Sequence, residues 1–348
     1  MADRIMTDHE CDGVDRRGFL KCMAWAGTGL VWTVSGGVLS SRTFGQGQGR
    51  SGAGSFSFVQ ISDSHIGFSK EANKNVVGTL QATIDKINAL EKRPDLLIHT
   101  GDLTHLSTPK EFDTVAEILK GAKVGYLAYV PGEHDLIGDS KYLERFGKGT
   151  QGEGWYSFNL RGVHFIGLVN VASEGTDQGL GILGTEQLNW LKADLAALTA
   201  STPVVVYAHV PLMEVYPKWG WGTQDGQQAL GYLKRFGSVT VLNGHIHQIF
   251  QKVEGNVTFH TARSTAFPQP EPGKAAGPGP LKNVMAGKLR GMLGLTSVNY
   301  VEGVKPLAVI SNMWRPPSGR MKFSATPKPS LRARRMVRHA SVRNGMHR

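Results

Sequence analysis

The residues able to do chemistry in this chain gather at the ends of five apolar runs. Tyr126–Val130 runs into Pro131, Gly132, Glu133, His134 and Asp135. Phe58–Ile61 runs into Asp63 and His65, and Leu96–His99 into Gly101 and Asp102. Val204–Tyr207 runs into His209, and Val239–Leu242 into Gly244, His245 and His247. Short apolar runs of this kind read as buried strands, and in α/β sheets ligands and catalytic groups gather where strands end. A single His or Asp at a strand end is more often structural than functional. Five strand ends that each deliver Asp, Glu or His predict one shared site, at one end of one sheet.

The residue types say what such a site would hold. Asp and His ligate divalent first-row metals well. Asp63 and His65 sit two apart, so a turning segment can aim both at one ion, and His245 and His247 repeat that spacing behind Gly244. Two metals about 3.5–4 Å apart need a bridging carboxylate. Asp102 is the natural bridge, because Gly101 before it lets the turn tighten. His209 completes the set. His134 stands between two carboxylates, and a bland turn has no need of it.

The elements that position these residues alternate along the chain. Helical spacing covers Asn75–Leu90, with Asn73 and Asn75 as capping residues. Pro109 opens a second helix with Phe112, Val115, Ile118 and Leu119 on one face. Tyr142–Phe146 is short and helical. Arg161 and Gly162 separate two strand-like runs, Trp155–Leu160 and Val163–Val169, as in a hairpin. Thr185 is the expected N-cap of a helix to Leu198, and Leu230–Phe236 is a short helix. A second hairpin is expected around Glu254, Gly255 and Asn256. Phe267–Pro280 is a Pro- and Gly-rich loop, Leu281–Leu295 reads as one basic amphipathic helix, and Val304–Asn312 as a returning strand.

Charge is distributed unevenly. The net +11 and the pI near 9.6 belong to the tail. Residues 305–348 hold 11 basic and no acidic groups, residues 1–50 hold 6 and 5, and residues 51–304 hold 22 and 23. A nearly neutral body argues against nucleic-acid binding. The tail from Pro316 onward is basic and poor in large apolar groups, and reads as mobile; it can touch anionic lipid or simply stay solvated. Both cysteines, Cys11 and Cys22, lie near the N-terminus, so a chain trimmed there has no thiol, as suits an oxidising compartment.

Asp15–Lys21, with Arg16, Arg17, Phe19 and Leu20, resembles the twin-arginine export signal. The diluted apolar stretch Cys22–Ser40 has the character of a signal-peptide core. That resemblance implies the twin-arginine translocation machinery as a partner and a periplasmic or extracellular location. Residues 1–50 are therefore read as signal and linker, 51–304 as the catalytic domain, and 305–348 as a strand and basic tail.

The five strand ends, taken together, resemble the calcineurin-like metallophosphoesterase superfamily. Its blocks D-x-H, G-D, G-N-H-(D/E), a single H and G-H-x-H correspond to Asp63 and His65, Gly101 and Asp102, Gly132 to Asp135, His209, and Gly244 to His247. The match spans about residues 56–265, with a texture closest to the cyclic-nucleotide phosphodiesterase and purple-acid-phosphatase-like branch. The resemblance implies a four-layer αββα sandwich with two mixed β-sheets, and two metal ions drawn from Fe, Mn, Zn or Co. Asp63, His65, Asp102 and His247 would hold one ion, and Asp102, Glu133, His209 and His245 the other. A metal-bridging hydroxide would attack a small phosphoester, diester or monoester. His134 would serve the developing charge or the leaving group, and Asp135 would orient it.

Two positions depart from the family's pattern. Glu133 stands where the family has Asn; it either ligates with added negative charge or misfits and weakens the second site. His105 stands where purple acid phosphatases carry a ligating Tyr, and is read as a ligand or as a donor behind one. Trp219 and Trp221 can stack on a substrate base or pack on the body, and Arg263 can pair with a phosphate or with the body. The reading is an exported binuclear metallophosphoesterase. Its alternative is an exported metal-binding or interaction protein whose second site Glu133 has detuned.

Overall fold

The structure, a computed structural model, describes residues 29–35, 38–44, 56–138, 140–171, 180–300 and 308–313. The twin-arginine stretch Asp15–Lys21 and the chain from Pro316 onward lie outside the described residues. Part of the apolar stretch Cys22–Ser40 forms an antiparallel ribbon of β1 (Gly29–Ser35) and β2 (Val38–Phe44). No helix among the described residues is long and apolar enough to cross a membrane.

Two mixed sheets make the body. In the first, β3 (Phe56–Ile61), β4 (Leu96–His99) and β5 (Tyr126–Tyr129) run parallel, and β12 (Gly294–Tyr300) and β13 (Ala308–Met313) extend it antiparallel in the order β13-β12-β3-β4-β5. The second has the order β10-β11-β9-β8-β7-β6. Here β7 (Val163–Gly167), β8 (Val204–Tyr207), β9 (Val239–Asn243) and β11 (Val257–Thr261) are parallel. β6 (Tyr156–Leu160) and β10 (Gln251–Glu254) are antiparallel hairpin partners at the edges.

Strand side chains alternate between faces, and that alternation builds three apolar layers. Phe58, Leu96 and Ile98 meet Phe165, Val205, Tyr207 and Leu242 between the sheets. Val59, Ile61 and Leu97 face outward onto α1 (Val76–Asn88) and α2 (Pro109–Lys120) through Leu80, Ile84, Phe112 and Val115. Val204, Val206 and Val241 face α4 (Gly184–Ala196) and α5 (Gly226–Leu233) through Leu188, Leu191 and Leu233. The result is the expected four-layer αββα sandwich.

Local signals set most helix starts. Asn75 caps α1 by accepting from Gly78 N at 2.8 Å. Thr108 and Glu111 form a capping box on α2, with Pro109 at its first position. The short helix α3 (Tyr142–Phe146) lies as expected. Arg161 and Gly162 turn the β6–β7 hairpin with φ of 49° and 80°, as a type I′ turn requires.

Three expectations change. The short helix expected at Leu230–Phe236 begins earlier, as α5 over Gly226–Leu233. Thr185 is not an N-cap. α4 starts one residue earlier, and the Asp225 carboxylate accepts from Leu183 N and Gly184 N at 2.9 Å each. A carboxylate from the loop before α5 thus satisfies N–H groups that a local cap would otherwise take. Leu281–Leu295 is not one helix either. α6 is confined to Ala286–Met292, and Gly294 already begins β12, which pairs with β3. The strand expected at Val304–Asn312 is present as β13 over Ala308–Met313 and pairs with β12 at the edge of the first sheet.

Two buried histidines make the fold acid-sensitive. Burial pushes His99 down to about 3 and His260 down to about 4. His99 Nε2 lies 2.7 Å from Ser64 Oγ, and His260 Nε2 lies 3.1 Å from Thr296 Oγ1. Both rings are neutral in the fold and titrate near 6.5 when unfolded. Protons therefore bind the unfolded chain first. The stability is full above about pH 6.5 and is lost as pH falls toward the folded values. Going from pH 7 to pH 5 is expected to cost about 1.5–2 kcal/mol for each ring. Urea unfolding of metal-free protein at the two pH values checks this, and His260→Gln should shrink the loss of stability by about 1.5–2 kcal/mol.

Candidate metal centre

The strand ends that carry the chemistry come from both sheets, not from one. β3, β4 and β5 deliver Asp63, His65, Asp102 and Glu133, and β8 and β9 deliver His209, His245 and His247. Because the sheets pack face to face, their C-terminal loops close on each other. Asp63 N donates to Gly101 O at 3.0 Å and His65 N to Asp102 O at 2.9 Å, so the first two loops continue the parallel pairing beyond the strands. Gly244 N donates to His209 O at 2.9 Å. His245 N donates to Asp63 Oδ1 at 3.1 Å, which ties the second sheet to the first.

Five of these residues hold left-handed backbone angles: Asp63 (φ 54°), His65 (41°), Asp102 (54°), His245 (68°) and His247 (53°). Each such non-glycine residue costs roughly 1–2 kcal/mol, so the surrounding hydrogen bonds must enforce the turns. Strain of this kind concentrates where side-chain direction matters more than backbone comfort.

The donor atoms form two groups that share Asp102. In the first, His247 Nε2 is 3.2 Å from Asp63 Oδ1, His65 Nε2 is 3.3 Å from His247 Nε2, and His65 Nε2 is 3.4 Å from Asp102 Oδ2. In the second, His209 Nε2 lies 2.9 Å from Glu133 Oε2, His245 Nδ1 lies 2.9 Å from Glu133 Oε1, and His209 Nε2 lies 3.4 Å from Asp102 Oδ2. Ligands bound to a common ion at about 2.0–2.2 Å stand about 3.0–3.5 Å apart.

The hydrogen bonds behind the rings agree with ligation. His209 Nδ1 donates to Thr100 O at 2.7 Å and His247 Nδ1 to Phe267 O at 2.5 Å. Each bond fixes the tautomer and leaves Nε2 facing inward, the arrangement of metal-bound imidazoles. Asp63 Oδ2, His209 Nε2 and His245 Nδ1 are buried without a hydrogen-bond partner. The two histidine nitrogens face the Glu133 oxygens at 2.9 Å, close to the spacing of ligands around a shared cation. The donor atoms fall into groups of three within 4.8 Å of one another, so the residues fit a pair of metal ions.

Electrostatics also call for a cation. Burial lowers the pKa of His209, yet the Asp102 and Glu133 carboxylates lift it well above its ordinary value. Burial raises Glu133, but the His245 and His209 rings hold it well below the carboxylate range. Asp63 is likewise raised by burial and pulled well below that range by His247, His209 and His65.

His134 stands on the rim of this pair. Its backbone N donates to Asp102 Oδ1 at 3.0 Å, and Ser107 Oγ donates to its carbonyl at 2.8 Å. Its Nδ1 lies 2.7 Å from His105 O, so Nδ1 is the donor and Nε2 is free. Burial lowers its pKa, but Asp102, the His105 carbonyl and Glu133 raise it above its ordinary value overall.

The orientation expected of Asp135 is not what it provides. Its carboxylate accepts from Leu103 N (3.0 Å), Thr104 N (2.8 Å), Thr104 Oγ1 (2.8 Å) and Gly132 N (3.0 Å). It locks the Asp102 loop to the Glu133 loop, and the His105 carbonyl orients His134 instead. His105 stacks on His134 at 4.8 Å between ring centroids, and its ring is grouped with His65 and His134.

The weaker candidates separate. Trp221 is buried, so it packs on the body and offers no face to a ligand. Trp219 is half-buried and packs edge-on against Trp221 and Tyr216. Arg263 donates from Nη1 to Gly291 O at 2.9 Å, a backbone contact rather than the expected ion pair. Sequence reading did not single out Thr100, Phe267, Ser107 or Ser264, whose Oγ donates to Asp63 O at 2.7 Å. Thr100 and Phe267 act through carbonyls, which any residue type carries, so no residue-level signal marks them.

Gly132 shows why the turn before Glu133 is narrow. A Cβ at this position would fall on Asp102 Oδ1 and on the Asp102 backbone nitrogen. Gly132→Ala must push the Asp102 and Glu133 loops apart. It is expected to cost about 1–3 kcal/mol of stability, read by urea unfolding, together with much of the metal affinity.

The chain belongs to the calcineurin-like phosphoesterase family, which it matches over residues 56–249. A 3′,5′-cyclic-nucleotide phosphodiesterase of Nostoc sp. is 29% identical over 217 residues, 61% of this chain and 79% of that protein. A probable cyclic nucleotide phosphodiesterase of Synechococcus sp. is 30% identical over 222 residues, 62% of this chain and 83% of that one. A probable glycerophosphodiester phosphodiesterase of Arcobacter nitrofigilis is 27% identical over 222 residues, 59% of this chain and 77% of that one. Among solved structures, a dimetal phosphatase from Danio rerio has a TM-score of 0.54 at 15% identity, covering 75% of this chain and 99% of that one. At that identity the likeness is one of fold.

Proposed function

We propose that this protein is an exported binuclear metallophosphoesterase acting on small phosphodiesters. One observation carries the reading: two donor groups meet at Asp102, whose other oxygen holds the backbone of His134. Asp63, His65 and His247 with Asp102 would hold one ion, and His209 and His245 with Asp102 the other. Bound there, divalent Fe, Mn, Zn or Co supplies a Lewis acid to the phosphoryl oxygens and lowers the pKa of a coordinated water.

The chain's own residues do the rest. With Nδ1–H held by the His105 carbonyl, the imidazolium form of His134, which its raised pKa favours, would carry a second proton on Nε2 and give it to the leaving oxygen. The His105 carbonyl holds the ring in place for that transfer, and Asp135 fixes the loop from which it projects. The names of the relatives, cyclic-nucleotide and glycerophosphodiester phosphodiesterases, favour diesters. Export rests on the Asp15–Lys21 motif, which would engage the twin-arginine machinery and deliver the protein to the periplasm. The basic tail would contribute at most weak contact with anionic lipid.

The test is elemental analysis of the folded protein alongside hydrolysis of bis(p-nitrophenyl) phosphate and 3′,5′-cyclic AMP. Two metals per chain and turnover of a diester support the reading. Metal without turnover of any phosphoester returns the protein to the class of metal-binding or interaction proteins.

A further inference from the structure

Glu133 is where this chain departs from its family's pattern, and the structure shows where the extra charge goes. Both carboxylate oxygens are engaged: Oε2 lies 2.9 Å from His209 Nε2 and Oε1 lies 2.9 Å from His245 Nδ1. A carboxylate that misfitted would have left these rings. Each oxygen faces a different ring nitrogen, so the carboxylate spans the same two imidazoles that a second ion would use. The Glu133 side chain is 43% exposed, whereas Asp63 and Asp102 are buried. It is the one carboxylate of the three that solvent reaches.

We propose that Glu133 is a carboxylate ligand of the second metal site and that its charge makes the centre select monoanionic phosphodiesters over dianionic phosphomonoesters. The inference rests on the phosphoesterase reading above and goes beyond it by naming the substrate charge.

The argument is electrostatic. Two divalent ions set against Asp63 and Asp102 alone would leave two formal positive charges. Glu133 leaves one. A phosphodiester carries one negative charge at neutral pH, and a phosphomonoester carries nearly two. Each gains from the positive centre in proportion to its charge, so lowering that charge penalises the monoester more. Nearby cations do little to offset this. Arg263 spends a donor on Gly291 O, and the partners of Asp63, Asp102 and Glu133 in close ion pairs are histidines. Lys70 acts on His105, but it is exposed to solvent and therefore screened.

The test compares wild type with Glu133→Gln, which keeps the shape, and Glu133→Asn, which restores the family's residue. Equilibrium titration with Mn²⁺ against a chromophoric chelator gives stoichiometry and affinity. The ratio of kcat/KM for p-nitrophenyl phosphate to that for bis(p-nitrophenyl) phosphate, and inhibition by inorganic phosphate, give charge selectivity. Expected are two ions in wild type and at least tenfold weaker binding of one of them in both variants. The monoester-to-diester ratio should rise roughly 10- to 100-fold, with tighter phosphate inhibition, in variants loaded with excess metal. A single ion in wild type with a second gained in Glu133→Asn would overturn the ligand assignment. An unchanged ratio and unchanged phosphate inhibition would overturn the selectivity. Wild type that binds no metal and turns over neither ester sinks the phosphoesterase reading itself, and this inference with it.

Discussion

His134→Ala is expected to lower kcat about 10²- to 10⁴-fold while leaving metal content unchanged. The ring can be removed without moving its loop, because the loop is held by other atoms. Asp102 Oδ1 accepts from the His134 backbone N, and Ser107 Oγ donates to its carbonyl. Neither involves the imidazole. The ring's own bond, Nδ1–H to the His105 carbonyl, aims Nε2 and supports no other element. KM should therefore change only a few-fold, since ground-state binding is left largely intact. The leaving group distinguishes a proton donor from a simple positive charge. p-Nitrophenolate departs without a proton, whereas an alkoxide needs one. The loss should thus be larger for a diester with an alkyl leaving group than for bis(p-nitrophenyl) phosphate. Equal losses would make His134 a charge stabiliser, and a loss below tenfold would remove it from the reaction.

The sequence made the donor set legible because strand-end residues are read in chain order, and their types carry the chemistry. Asp63, His65, Asp102, Glu133, His209, His245 and His247 come together as their spacing suggested. The apolar runs also marked every strand that delivers them. What the sequence did not show was which contacts are made by backbone. The orientation of His134 was assigned to Asp135, the neighbouring carboxylate, but the His105 carbonyl provides it. Asp135 is instead taken up by three backbone N–H groups and the Thr104 hydroxyl. Proximity along the chain misleads at a tight turn, because adjacent side chains diverge there. The same reason explains α4, where Thr185 was adjacent and Asp225, forty residues away, does the capping. Leu281–Leu295 failed differently. Its apolar spacing suits a helix, but residues from Gly294 pair with β3, and sheet pairing overrides local periodicity. That two sheets rather than one furnish the site was equally invisible, since face-to-face packing leaves no mark on the order of strands.

The second large effect is expected at Asp102, because one carboxylate serves three partners. Oδ2 stands 3.4 Å from both His65 Nε2 and His209 Nε2, so it faces both donor groups, and Oδ1 accepts from His134 N. Asp102→Asn keeps an oxygen for His134 N but removes the charge that the two groups share. With that oxygen held on His134 N, the amide presents its NH2 donors, and no oxygen, to both ions. Both ions should bind weakly, and kcat/KM should fall at least ~10³-fold, the equivalent of several kcal/mol of transition-state stabilisation. Stability gives an independent reading. An ion that binds only the folded chain adds about 2.7 kcal/mol at a hundred times its Kd, so two ions add about 5 kcal/mol. For a body of this size each kcal/mol moves Tm by about 2–4 °C, and saturating Mn²⁺ should raise the wild-type Tm by roughly 10–20 °C over the chelated protein. In Asp102→Asn that metal-induced rise should largely disappear. Chelated wild type and chelated variant should melt within a few degrees of each other, because the amide retains the buried contact to His134 N. A variant that keeps the full metal-induced rise would show that Asp102 is not shared between the ions, and the two donor groups would then have to be treated as separate sites.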